Sequence, residues 1–248
     1  MKKIWVIALK DVREAFRSRG TYLYIVILIV LSLTYSSSYN SLMNNLIRQN
    51  VSQQVIYETS RVFLNSLAYT LPLIYAFLVA GIFAAYSVVM DKIRRNLESL
   101  MATPLSLKQI WIGKTLGVTL PSVVVAIGIS IVAYIVMNFV LIIPRTGSFI
   151  LVEPAAIVTV LILVPLLIFS VSLLVIYLQL VISNPRIANL AFTGIFLLFF
   201  FGSTFLTQMG YEVPFYYIYL GLIVICAGVS YLIAGSLTRE RVLLSSKT

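Results

Sequence analysis

The sequence predicts an all-α membrane protein with six transmembrane helices, an N-terminal interfacial amphipathic helix, and both termini in the cytoplasm. Three observations support this fold class. Hydrophobic residues make up 60% of the 248 residues and charged residues only 10%, whereas a soluble domain carries roughly 25% charged residues. Apolar runs long enough to cross a bilayer recur along the chain, and lysine and arginine cluster on alternate sides of them. We therefore interpret residues 1–248 as a single multi-pass transmembrane domain in the cell membrane.

The predicted spans match the thickness of a bilayer. A hydrocarbon core of roughly 30 Å requires about 20 residues of helix. The apolar runs contain no Asp, Glu, Lys or Arg, and Asp, Lys or Arg at a helix centre costs about 2.5–3.5 kcal/mol. The last two runs are separated by a short turn, so they form either two full spans, which we favour, or a partly re-entrant hairpin. The predicted spans are residues 21–39, 67–90, 115–143, 156–182, 188–208 and 215–236.

The distribution of basic residues predicts the orientation. Most of the 18 lysines and arginines lie before the first span, between the second and third, between the fourth and fifth, or after the sixth. The alternate loops contain only Arg48, Arg61 and Arg145. Because basic loops stay on the cytoplasmic side, both termini are predicted to be cytoplasmic. The basic clusters are short and divided by apolar runs, so the net charge of +10 does not indicate a nucleic-acid surface.

Residues 3–19 predict a basic amphipathic helix on the cytoplasmic surface of the membrane. Its apolar residues recur at helical spacing, and Trp5 suits the headgroup level. The helix is either a topology anchor alone or also a docking surface. A cleaved signal peptide is disfavoured, because the following apolar run exceeds the roughly 7–15 residues of a signal-peptide core. The apolar positions are Ile4, Ile7, Ala8, Val12, Ala15 and Phe16.

The loop between the second and third spans, residues 91–114, predicts more structure than a plain connection needs. Asp91 is expected to cap a short helix, and Pro104 is expected to end it. Ser106 and Gln109 have the spacing of a capping box that starts the next helix. The predicted apolar stripe of the first helix is Ile93, Leu97, Leu100 and Met101. Such a loop indicates that a cytoplasmic partner binds it.

The sequence offers no catalytic or cofactor chemistry. It contains no histidine, and its single cysteine, Cys226, lies in an apolar run, so a His general base, a disulfide and a CxxC site are all excluded. Gly113, Lys114 and Thr115 match only the end of a P-loop, because position 108 is lysine where that motif requires glycine. We expect Lys114 to mark the cytoplasmic interface instead. The chain is predicted not to be an enzyme and to hold no cofactor or metal.

Uncharged polar groups inside the predicted spans are weak candidates for a substrate path. Intramembrane charges usually mark ion paths, so their absence favours an apolar or amphipathic cargo. The alternative, favoured for any single residue, is that these groups bond one helix to another. The outer loop, residues 40–63, is expected either to rest on the membrane surface or to cap the path. The candidate path residues are Tyr75, Tyr134, Asn138, Tyr177 and Gln179.

The stretch LESLMATPLS, residues 97–106, resembles the motif that follows the second span in permeases of ABC-2-type ABC transporters. There the usual wording is Leu-Glu-x-Leu-Leu-x-Thr-Pro-Leu-Ser, preceded by an acidic and basic run and Gly-Thr. Asp91 stands where the family often has Glu, and Arg95 and Asn96 replace Gly-Thr. The short second cytoplasmic turn of these permeases is similar to Asn184, Pro185 and Arg186.

The resemblance implies that transport across the membrane and ATP hydrolysis are carried out by separate subunits. Such permeases form homodimers or heterodimers in the lipid bilayer and associate with two copies of a separate ATPase subunit, which binds ATP and Mg. The loop would be a coupling helix that transmits ATPase closure to the spans, and the family resemblance favours export. The positions that the resemblance assigns to coupling are Asp91, Ile93, Arg94, Leu97, Glu98, Leu100, Met101 and Pro104.

Two other classes of function stay open at the level of sequence. A channel that conducts without ATP is weakened by the absence of a charged ring in the spans. A membrane scaffold or assembly factor would use the cytoplasmic helix to recruit a partner that is not an ATPase. The transporter hypothesis predicts an ATPase partner, and co-purification distinguishes it from the other two.

Overall fold

The apolar runs of the sequence fold into a bundle of long helices. The computed structural model describes residues 2–94, 96–182, 184, 190, 193–194, 197, 215–238 and 240–242, and this part of the chain contains helices and short connections but no strand. The α-helices are α1 Lys2–Arg17, α2 Arg19–Arg48, α3 Gln53–Ala84, α4 Met90–Ile93, α5 Asn96–Met101, α6 Leu107–Met137, α7 Ile143–Thr146, α8 Pro154–Val158, α9 Val164–Val181 and α10 Phe215–Ile233.

Five helical stretches of the described chain are long and apolar enough to cross a membrane. They agree with the first four predicted spans and with the sixth. The predicted fifth span, residues 188–208, lies almost entirely outside the described residues. The five stretches are Gly20–Arg48, Gln53–Ile93, Leu107–Thr146, Pro154–Val181 and Tyr216–Ser236.

Three π-helical segments extend the long helices. Residues Ala85–Val89 join α3 to α4, Asn138–Ile142 join α6 to α7, and Thr159–Leu163 join α8 to α9. Each segment continues a helix without ending it and lies inside a span predicted from the sequence. Single π turns inside α-helices often occur at functional sites.

The prediction of an outer loop at residues 40–63 is wrong. α2 continues to Arg48 and α3 begins at Gln53, so the connection is only residues 49–52. The apolar residues of this polar stretch are spaced as in a helix, and some of them are buried where α2 packs against α3. Tyr39 and Met43 are fully buried, and the Tyr39 hydroxyl lies 2.8 Å from Ser60 Oγ on α3.

The helix ends on the side of the bundle opposite α1 are joined by polar contacts. Arg145 donates to Asn40 Oδ1 at 2.7 Å, and its guanidinium lies 5.5 Å from the centre of the Tyr39 ring. Asn65 and Glu153 bond to each other twice, at 2.9 and 3.1 Å. These contacts fix the connection that follows α7 against α2 and α3.

The core lies between α3, α6 and α9, with α10 packed on α9. Phe77 of α3 and Val175 of α9 are fully buried, and the Trp111 indole of α6 donates to the Leu173 carbonyl at 2.8 Å. The Tyr219 hydroxyl of α10 donates to the Tyr69 carbonyl at 2.8 Å. By contrast, α2 exposes most of its apolar side chains, as expected of a helix whose outer surface faces lipid.

The N-terminal helix is amphipathic as predicted, but it does not turn its apolar stripe towards lipid. Ile7, Ala8 and Ala15 are buried in the protein, and α1 lies against α6. The approach is close because α6 presents Gly113 and Gly117, one turn apart. A Cβ on Gly117 would lie 2.9 Å from Asp11 Cβ. Small residues at this spacing allow two helix backbones to approach closely.

Candidate functional site

The predicted coupling loop contains two short helices instead of one. α4 ends at Ile93, and Arg94 leaves the helical region with φ −84° and ψ 1° before α5 begins at Asn96. The break interrupts the predicted apolar stripe. Leu97 and Met101 are buried, whereas Ile93 is 69% exposed. The placement of Ile93 on a common apolar face with Leu97 is therefore wrong, because the turn separates the two helices.

The predicted end of the loop is confirmed. α5 stops at Met101, three residues before Pro104, and α6 follows at Leu107. Ser106 Oγ accepts the Gln109 N–H at 3.2 Å, and Gln109 Oε1 accepts the Ser106 N–H at 3.1 Å. This reciprocal pair is the capping box expected from the sequence.

One face of the loop is exposed and the other anchors it. Ile93, Arg94, Glu98 and Pro104 are exposed, and we call these four residues the coupling surface. Leu97 and Met101 on the opposite side belong to the hydrophobic core, and Leu100 is partly buried against it. The surface thus presents two apolar side chains, one basic and one acidic, on a loop whose opposite side is packed against the core.

A buried ion cluster connects this loop to α1 and α6. Lys114 Nζ lies 2.6 Å from Asp91 Oδ2 and 3.3 Å from Asp11 Oδ2, and it donates to the Ser87 carbonyl at 2.5 Å. The Ser87 hydroxyl donates to Asp11 Oδ2 at 2.5 Å. Lys10 Nζ approaches Asp91 Oδ1 at 3.6 Å. We call Asp11, Ser87, Asp91 and Lys114 the ion cluster.

The ion cluster fixes four segments in one arrangement. Asp11 belongs to α1, Ser87 to the π-helical segment after α3, Asp91 to α4 and Lys114 to α6. Lys114 is fully buried, and both carboxylates are almost completely buried. Replacing a whole buried ion pair with apolar residues can be neutral, but removing one partner is strongly destabilising. The cluster therefore specifies how the segments fit together more than it adds net stability.

Burial of its charge is unfavourable for Asp11, more than its partners in the ion cluster offset. Burial raises the pKa of its carboxyl above the ordinary value, and this effect exceeds the opposing effects of Lys114 and of the hydrogen bond from Ser87. A charged Asp11 is thus tolerated only while these partners stay in place. Any motion that separated α1 from α6 would take Asp11 away from the Lys114 ammonium that offsets its burial.

One prediction about these residues is wrong. Asp91 does not cap a helix: it lies within α4, whose N-cap position is Val89, and its carboxylate binds Lys114. Lys114 is fully buried among oxygen atoms, and its expected place at the cytoplasmic interface stays a prediction. The sequence did contain one signal for a helix close to Lys114, namely the Gly113 and Gly117 spacing around it.

The loop also contacts the end of α9. Lys92 Nζ donates to the Ile182 carbonyl at 2.8 Å, where the helix ends. Asn184, in the predicted second cytoplasmic turn, is exposed two residues further on. Pro185 and Arg186 lie outside the described residues. The first loop and the start of the predicted second turn are therefore neighbours at one end of the bundle.

Three candidate path residues are buried within the bundle. The Tyr75 hydroxyl lies 2.7 Å from Ser32 Oγ of α2, and the Tyr177 hydroxyl lies 2.5 Å from Ser236 Oγ after α10. Gln179 is also buried. The two tyrosine bonds join separate helices, which agrees with the packing role considered for such residues. A part in transport stays a prediction for all three.

The other two candidates come together at the C-terminal end of α6. Asn138 Oδ1 accepts the Ile150 N–H at 3.1 Å, and the Tyr134 hydroxyl donates to the Ile150 carbonyl. Both residues thus hold the connection that follows α7. Of the five candidates, Tyr134 alone also lines an apolar groove between α3, α6 and the π-helical segment before α9.

Comparison with known proteins agrees with the resemblance drawn from residues 97–106. The model of the family described as "ABC-2 family transporter protein" matches residues 5–238. The chain therefore belongs to the ABC-2 family of transporter proteins, and it is a multi-pass membrane subunit that is not itself catalytic. Neither the curated proteins nor the solved structures gave a significant match.

Proposed function

We propose that this chain is the transmembrane subunit of an ATP-driven exporter and that its coupling surface binds a separate ATPase subunit. The observation that carries the proposal is the exposed coupling surface, held from behind by Leu97, Met101 and the ion cluster. A surface that receives force has to be accessible on one side and firmly attached on the other. Loop 91–106 meets both conditions.

The attachment suggests a route for the force. Asp91 of α4 is bound to Lys114, and Lys114 stands near the start of the 31-residue helix α6. A push on the coupling surface would reach α6 directly and α1 through Asp11. Such a unit has two positions relative to the rest of the bundle, and ATP binding to the partner would favour one of them. Two ATPase copies and a second permease chain complete the proposed transporter.

The proposed cargo is apolar or amphipathic. The central parts of the described spans carry hydroxyl, amide and aromatic groups but no charged side chain, because the ion cluster lies at the end that carries α1. An ionic cargo would face a high cost in such a path. Lipids, drug-like compounds and peptides fit this description, and nucleic acid does not.

The experiment is a mild-detergent purification of the tagged chain from its native host, with mass spectrometry of the proteins that co-purify. An ATPase subunit should appear at about one copy per permease, as a dimer with two ATPases requires. Glu98→Arg and Ile93→Asp should lower transport in vesicles, and either lower ATPase recovery or uncouple ATP hydrolysis from transport. Both substitutions leave the core untouched, because both side chains are exposed.

The matched control is Glu58→Arg at the opposite end of the bundle. Glu58 is exposed and pairs with Arg61 at 3.8 Å, and an exposed pair of this kind contributes about 0–1 kcal/mol. This variant should keep its ATPase and its transport activity. A wild-type preparation that contains this chain alone, folded and inserted, would overturn the proposal in favour of a channel or scaffold.

A further inference from the structure

A groove opens on the membrane-facing side of the bundle, far from the coupling surface. It lies between α3, α6 and the π-helical segment that begins α9, and its volume is about 300 Å³. Leu71 and Pro72 form one wall, Ile127 and Tyr134 another, and Val160 and Leu161 the third. The π-helical turn supplies the third wall. Residues of three helical segments therefore form the groove together.

The groove walls have no polar group left to recognise a polar ligand. Its two hydroxyl side chains both bond inside the protein: Ser130 Oγ donates to the Ala126 carbonyl at 2.7 Å, and the Tyr134 hydroxyl donates to the Ile150 carbonyl. The remaining lining residues are aliphatic or methionine. A polar or charged molecule would lose its hydration in this groove and gain no hydrogen bond in return.

The depth of the groove places it in one leaflet. Its α6 wall spans residues 127–137 and begins 13 residues beyond Lys114, which is roughly 20 Å along a helix. With a hydrocarbon core of roughly 30 Å, the groove therefore lies in the leaflet opposite the ion cluster. Ile131, Ile157 and Leu161 on its edges are each about half exposed. Lipid is the solvent that such exposed aliphatic edges meet at this depth.

Charged groups stand where this leaflet ends. Glu153 follows the lining residue Val152 and lies 3.7 Å from Arg61, and both side chains are nearly half exposed. A molecule that filled the groove with an apolar chain would have its other end beside this ion pair. A molecule with an apolar chain and a polar headgroup matches both the groove and the adjacent ion pair.

We infer that this groove binds one acyl chain of a bilayer phospholipid, with the phospholipid headgroup next to Arg61 and Glu153. An empty groove would deprive its walls of dispersion contacts, and a flexible acyl chain restores them. This site is independent of the proposed ATPase coupling, since it lies at the other end of α6. Its failure would leave the coupling proposal intact, and the reverse also holds.

The test uses the full-length protein in vesicles of phosphatidylethanolamine and phosphatidylglycerol. A trace of phosphatidylethanolamine carries a diazirine near the end of one acyl chain, and photolabelled peptides are identified by mass spectrometry. Peptides covering residues 127–137 and 152–161 should be labelled at least about threefold more than the exposed apolar residues 26–30 of α2, because a groove surrounds the chain with more atoms than a convex helix.

Ala68→Phe fills the groove from the α3 wall and should reduce this labelling to the level of α2. Ala155→Phe is the matched control, because Ala155 is exposed beside the groove and does not line it. Ser130→Phe fills the groove from α6 and provides the test if Ala68→Phe does not fold. Equal labelling of groove and α2 peptides in the wild-type protein would overturn the inference. So would undiminished labelling in a folded groove-filling variant, or chain-to-chain cross-links across this face in place of lipid labels.

Discussion

Replacement of Lys114 by methionine is expected to be the most damaging single change at the end of the bundle that carries α1. Methionine keeps most of the apolar length of lysine but removes the charge. Lys114→Met would leave Asp11 and Asp91 buried together without the ammonium that lies 3.3 and 2.6 Å from them. Loss of one partner from a buried ion pair costs about 3–5 kcal/mol. For a chain of this size that corresponds to a melting temperature lower by roughly 6–20 °C.

Intrinsic fluorescence provides the assay. Trp111 lies on α6 one turn before Lys114 and donates its indole N–H to the Leu173 carbonyl, so its emission reports the packing of this region. Thermal unfolding of the purified protein in detergent should show the loss. The triple variant Lys114→Met, Asp11→Asn, Asp91→Asn should recover most of it, because no unpaired charge then stays buried.

The pH dependence adds a second check with a definite sign. Burial already raises the pKa of Asp11 in the presence of Lys114, and removal of the cation raises it further. An acid whose pKa is higher in the folded state is stabilised by protonation, so stability is lost as pH rises through that pKa. Lys114→Met should therefore regain stability as the pH is lowered towards the ordinary Asp range. If it melted at the wild-type temperature and without this pH dependence, the ion cluster would not be what fixes the segments.

Other substitutions probe neighbouring features with matched or simple controls. Gly117→Ala should destabilise the protein by about 1–3 kcal/mol in the same melting assay, because its Cβ would lie 2.9 Å from Asp11 Cβ. The control is Gly128→Ala on the same helix, where the added Cβ meets open space. This control should be neutral or stabilising by up to about 1 kcal/mol. Equal effects of the two would contradict close packing of α1 on α6. Ser106→Ala should cost about 0.5–2 kcal/mol by loss of the capping box, and no change in melting would mean that the cap is dispensable. Tyr75→Phe should cost about 0.5–1.5 kcal/mol through the lost bond to Ser32 while vesicle transport continues; loss of transport with unchanged stability would instead place the Tyr75 hydroxyl in the substrate path.

Features encoded by local pattern were predicted well. Apolar runs located the five long apolar helices of the described residues, because exclusion of charge from lipid acts on each segment separately. The capping box of Ser106 and Gln109 and the stop before Pro104 were also predictable, since both depend on residues a few positions apart. The motif at residues 97–106 was sufficient to indicate the family, which the match over residues 5–238 confirms.

Features encoded by contact between distant residues were not predicted. Asp11 and Lys114 are 103 positions apart in the sequence, and the residues around each of them give no indication that the two are in contact. The continuation of α2 and α3 up to the short turn at residues 49–52 was missed for a related reason. Its surface residues are polar enough to suggest a loop, and only the packing of Tyr39 and Met43 on α3 shows that the helices continue. Local charge counts predict orientation, but they do not distinguish a solvated lysine from one buried between two carboxylates.

The length of α3 and its extensions makes the topology of the protein experimentally accessible. The stretch Gln53–Ile93 contains 41 residues, about 60 Å of helix, which is twice the thickness of a hydrocarbon core. If Ile93 lies near one membrane surface, the turn at residues 49–52 projects well beyond the other. A short epitope inserted beside Asn50, whose positive φ of 53° already marks a tight turn, would stand clear of the headgroups. Antibody staining of intact cells against this epitope would reveal which compartment the turn faces.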